Sequence, residues 1–174
     1  MAVGFVVVLF VIPPLTGQGS LITHPGQIEV GLPQLNNSRL AILIEKEAVP
    51  TLIPILLNFI NIAPASWPFL VMTGVESDLV LRTSRQLQPH LQSGKLTLQA
   101  LPDEDSIYSG RSKSKFLAGS PQFWDSLPEQ AENLLMFESD SILCANSGID
   151  IDSFLGFDTF PGGFAWVGAP WFSR

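Results

Sequence analysis

Charge, cysteine and histidine are all scarce in this chain of 174 residues, and each shortage closes off a class of function. Only 14% of the residues are charged, with 16 acids against 9 bases, for a formal net charge of -7. A nucleic-acid groove needs a basic surface to neutralise phosphates, so such a polymer is excluded as the main partner while a local cationic site stays open. The single cysteine, Cys144, leaves no intramolecular disulfide and no cysteine-based zinc cluster, and nothing in it reports an oxidising compartment. In its apolar setting Cys144 reads as a small core residue rather than a nucleophile, since no nearby cation would stabilise a thiolate. The two histidines, His24 and His90, lack a second base, a metal partner or a Ser-His-Asp set, and both read as surface residues. No internal repeat is present.

Apolar residues are plentiful at 46%, which places the chain with globular proteins, and its length suits one domain with a sizeable core. Met1 to Leu15 is apolar almost throughout, interrupted by Pro13-Pro14, and is shorter than the roughly 20 residues that a membrane span needs. Residues 1–20 therefore form a candidate signal or anchor segment, with small polar residues at Thr16 to Ser20 suited to cleavage but no Lys or Arg ahead of the apolar core. A plain amino terminus and a cytoplasmic product are the competing reading, and any membrane association would run through residues 1–15. The following stretch to residue 38 is rich in Gly, Pro, Gln, Asn and Ser, so residues 21–38 are assigned as a linker and 39–174 as the domain.

Within the domain, Leu40-Ala-Ile-Leu-Ile44 is the first convincing strand and ends at Glu45. Residues 48–62 are apolar on nearly every face, but Pro50, Pro54, Asn58 and Asn61 favour a buried helix over a membrane helix. Trp67 to Met72 reads as a second strand, Ser77 to Gln88 as a helix stopped by Pro89, and Lys95 to Leu101 as a third strand. Alternation of strands and helices predicts an α/β domain with a mostly parallel sheet and helices on both faces.

Leu134 to Phe137 is a short apolar run of the kind a strand buried on both faces shows, and carboxylates arrive only at its carboxyl end, where open α/β sheets keep their ligands. If the strand continues, Glu138 and Asp140 point to one side and Ser139 to the other. Two carboxylates so placed suit Mn²⁺ or Mg²⁺, whose remaining positions phosphate oxygens and water would fill. A solvated strand end is the bland alternative. Glu45, in the turn after the first strand, is a candidate contact for the base or ribose of a nucleotide, or else part of a helix start that favours Glu47. Lys115, in the basic run Arg111 to Lys115, is a candidate phosphate contact or part of a solvated face balancing Asp103 to Asp105. Phe123-Trp124 reads as packing rather than a sugar platform, and Asp150 and Asp152 as helix-capping residues.

Phe123-Trp124, the block from Phe137 to Ser147, Ile151 to Leu155 and Val167-Gly-Ala-Pro-Trp171 together resemble the DUF5672 family, mostly fungal proteins of unknown function. The resemblance runs from about Arg39 to Trp171. That family's fold is similar to that of GT-A nucleotide-sugar glycosyltransferases, which implies a Rossmann-like GT-A-type sheet, a nucleotide-sugar donor and an acceptor of unknown identity. Where the family usually has Gln-x-Asp this chain has Glu138-Ser-Asp140, closer to the acid-x-acid ligand motif of metal-dependent glycosyltransferases. Ser-Lys-Phe-Leu at 114–117 also matches and singles out Lys115. The family continues past Gly-Ala-Pro with a glycine-rich segment, whereas this sequence ends at Arg174. The expectation is thus a donor-binding half whose sheet is incomplete at its carboxyl end. Its activity is sugar transfer if the full domain is present. The alternative is a non-catalytic truncated relative that binds a nucleotide, a carbohydrate or a protein partner.

Overall fold

The computed structural model describes residues 7–11, 34–101, 121–146, 150–155 and 166–168. Their centre is strand β2 (Arg39–Glu45), six of whose seven residues are buried. It pairs in parallel with β3 (Phe69–Thr73) on one side and β5 (Asn133–Phe137) on the other. Beyond β3 lies β4 (Leu96–Ala100), also parallel. The fold is therefore α/β and Rossmann-like, as the alternating pattern predicts.

Side-chain alternation divides the apolar residues of these strands between two layers. Ala41, Leu43, Phe69, Val71, Leu135 and Phe137 face helix α1 (Leu52–Ile62), which buries Leu52, Ile55, Leu56, Phe59 and Ile60 against them. The Phe59 ring stacks on Phe137 at 3.9 Å between centroids, and Phe69 meets Phe137 edge-on at 6.2 Å. On the opposite face Leu40, Ile42, Leu70, Met72, Leu134 and Met136 are covered by Phe123 of the short helix α4 (Pro121–Asp125), with Trp124 and Leu127 at its margin. Phe123 and Trp124 contact each other edge-on at 5.1 Å, a packing role. Helices thus lie on both faces.

The expected helix from Ser77 to Gln88 is two helices instead, α2 (Val75–Thr83) and α3 (Gln88–Gln92). Pro89 opens the second rather than stopping the first, because a proline in the first turn forfeits no intrahelical hydrogen bond. Among the described residues no helix is long and apolar enough to cross a membrane. Helix α1 has 11 residues, well short of the roughly 20 that a span needs, and its Asn58 Oδ1 accepts the backbone N–H of Leu143 at 2.9 Å.

The amino-terminal apolar run supplies a feature that its composition does not suggest. Residues Val7–Val11 form strand β1, which pairs antiparallel with β5 and with β6 (Trp166–Gly168), giving the order β4-β3-β2-β5-β1-β6. The side of β5 away from β2 is thereby paired. Cys144, expected in the core, is exposed. The reason is that β5 ends at Phe137, so the following residues are loop and only Leu143 among them packs on the core.

Candidate functional site

The chain order across the sheet sets where a ligand site is expected. From β2 it steps outward through β3 to β4, then crosses back to place β5 on the other side of β2. The carboxyl ends of β2 and β5 are consequently a topological switch point, where open α/β sheets bind ligands because the loops diverge there. The carboxyl ends of β3, β2 and β5 lie side by side in that order.

Glu45 closes β2 in the series that begins Ala41 and Leu43, and its residue surface is only 3% exposed. Its two carboxylate oxygens are engaged. Oε1 accepts the Glu47 N–H at 3.1 Å, and Oε2 accepts the Ser139 hydroxyl at 2.5 Å, a bond that spans the switch point. The backbone carbonyl of Glu45 accepts the Ser77 hydroxyl at 2.6 Å. Gly74, at the turn into α2, lies so close that a Cβ there would stand 2.5 Å from the Lys46 carbonyl oxygen, so the approach of these two loops requires glycine. Thr51, just before α1, donates to the Ser139 carbonyl at 3.0 Å.

Beyond Phe137 the backbone turns. Ser141 N–H donates to the Glu138 carbonyl at 3.0 Å, and the Glu138 N–H donates to the buried Ser141 hydroxyl at 3.1 Å, so one serine closes the turn from both sides. This changes the basis for pairing Glu138 with Asp140. Strand alternation stops at Phe137, and it is the turn that presents Glu138 half-buried and Asp140 exposed on the rim. Ser139, which alternation sends away from Glu138, meets Glu45. Ser139, Ser141 and Thr51 carry no chemical signature in sequence, and only the meeting of the two strand ends marks them.

The later acids are structural. Asp150 accepts the Asp152 N–H at 2.8 Å and caps the 3₁₀ helix Ile151–Phe154, the capping role expected for this acidic segment. Asp152 binds the Arg39 guanidinium through one oxygen and Trp67 Nε1 at 2.7 Å through the other, tying this loop to the amino ends of β2 and β3. Lys115 and His24 lie outside the described residues. His90 is in α3, half-buried rather than fully at the surface.

As to a metal, no group of three or more His, Cys, Asp or Glu side chains able to hold one occurs among the described residues. A site built on Glu138 and Asp140 alone would fit an ion that takes one or two carboxylates and completes its shell with diphosphate oxygens and water, as Mg²⁺ does.

The fold and its switch-point crevice place the protein in the Rossmann-like α/β class. Residues 95–174 match the family described as "Protein of unknown function (DUF5672)". The match takes in β4, α4, β5 and the turn at 138–141, and leaves β2, α1 and β3 outside it. No curated protein and no solved structure matches the chain.

Proposed function

We propose that the chain is a glycosyltransferase-like protein that binds a nucleotide-sugar at the β2–β5 crevice through a divalent cation, Mn²⁺ or Mg²⁺, held by Asp140 and Glu138. One observation carries the reading: the carboxylates sit on a turn at the switch point, fixed from behind by the Ser139–Glu45 hydrogen bond and closed by Ser141. Asp140, exposed on the rim, is the primary ligand, and Glu138 the second. Glu45 enters through Ser139, holding the turn that presents Asp140. Lys115 remains the candidate for a phosphate contact. When bound, the cation would offset the charge that grows on the diphosphate leaving group as the sugar passes to an acceptor hydroxyl.

Thermal unfolding with Mn²⁺, with a panel of nucleotide-sugars, and with both tests this reading. A ligand that binds only the folded protein, at a hundred times its dissociation constant, adds about 2.7 kcal/mol of stability. The melting temperature should rise when metal and nucleotide-sugar are present together. Asp140→Asn should abolish the increment, and Glu138→Gln should weaken it. No increment from a well-folded chain refutes the proposal. An increment without sugar transfer to any acceptor selects the non-catalytic binder.

A further inference from the structure

At the opposite end of the sheet lies a cavity of about 410 Å³ that the proposed function does not use. Its apolar wall is Leu35, Ile60, Ala63 and Ala65, and its polar groups are Asn61, His90, Ser93 and Lys95. Lys95 stands just ahead of β4, and its backbone carbonyl accepts the Phe69 N–H at 2.8 Å, so the position is fixed by the first residues of two strands. The residue is 9% exposed. Its ammonium donates to the carbonyls of Ala65 at 2.8 Å and Pro64 at 3.4 Å and lies 5.3 Å from the centre of the Phe69 ring.

An ammonium has three N–H donors, and the two carbonyls account for two of them. Among the described residues that line the cavity none is acidic, and none supplies a carboxylate to balance the charge. Burial pushes the Lys95 pKa down, as expected for a cation that has lost water without gaining an anion. Among the described residues the side chains of Asn61 and His90 have no hydrogen-bond partner. A cavity of this size, mostly apolar, with a few convergent donors and one uncompensated cation, has the make-up of a small-ligand site.

We propose that this cavity binds a small organic anion, its carboxylate or phosphate meeting Lys95, Asn61 and His90 and its apolar body lying on Leu35, Ile60 and Ala63. The carbonyls at this end, which would repel an anion, are offset by the same ammonium. This proposal is independent of the reading at the β2–β5 crevice, since the two sites occupy opposite ends of the strands.

The test is ligand-observed NMR on the full chain with benzoate, phenyl phosphate and the neutral benzyl alcohol. Saturable binding of either anion, at least roughly tenfold tighter than the alcohol, is expected from one charge-assisted contact. The preferred anion then identifies the head group. Lys95→Met should remove the preference, but the lysine also holds the Pro64–Ala65 turn, so a second variant pair does not depend on it. Asn61 is exposed on α1 and tolerates exchange. Asn61→Glu should lose anion binding, and Asn61→Lys should keep it. Equal binding of alcohol and anions, or anion binding unchanged by Asn61→Glu in a folded protein, overturns the proposal.

Discussion

Removing one hydroxyl, in Ser139→Ala, should destabilise the domain although the residue sits in a loop that is partly open to solvent. Its Oγ donates at 2.5 Å to Oε2 of Glu45, a residue that is 3% exposed. A hydrogen bond to a charged group is worth about 1.5–3 kcal/mol, and more is lost when the charge is left buried. Glu45 keeps the Glu47 N–H, and water can reach the loop side, so the lower end, about 1.5 kcal/mol, is expected. For a domain of this size that is a fall in melting temperature of roughly 3–6 °C. Urea unfolding of the wild type, Ser139→Ala, Glu45→Gln and the double variant gives the value and its origin. An unchanged slope would show that the loss is native-state stability rather than altered compactness. The two single effects should be non-additive by at least about 0.5 kcal/mol, the mark of groups in direct contact. A loss below about 0.5 kcal/mol for Ser139→Ala, or full additivity, would refute the bond across the switch point, since surface substitutions fall in that range.

Three further outcomes follow from the packing. Gly74→Ala should cost about 1–3 kcal/mol by denaturant unfolding, since its Cβ would meet backbone, the Lys46 carbonyl at 2.5 Å, which can yield only by moving a loop. Phe59→Ala should cost about 3–5 kcal/mol through loss of the ring stacked on Phe137, whereas Leu79→Ala on α2, 65% exposed, should stay within about 0.5 kcal/mol. Because burial lowers the Lys95 pKa, the unfolded chain binds the extra proton between that value and the ordinary lysine value, so Lys95 makes stability rise with pH across this alkaline window and fall as pH drops through it. The stability of the wild type relative to Lys95→Met should therefore rise as pH rises through this window, and a difference independent of pH would contradict it.

The apolar runs at 40–44 and 134–137, the near-continuous apolar stretch at 52–62 and the break at Pro64 to Trp67 determined the strands, the buried helix and their parallel order by themselves. Each rests on short-range periodicity and on the need to cover both faces of a parallel sheet. Acids appearing only after Phe137 likewise located the candidate site at a strand end. Tertiary structure decided where alternation stopped: β2 runs on to Glu45, but its pairing with β5 ends at Leu43↔Phe137, and the Glu138 N–H goes to the Ser141 hydroxyl instead. It therefore decided that Ser139 faces Glu45, that Cys144 is exposed, and that Val7–Val11 lies beside β5. Contacts separated by 94 residues, as between Glu45 and Ser139, leave no periodic trace in the chain, and they exist only once the strand order has brought two loops to one end of the sheet.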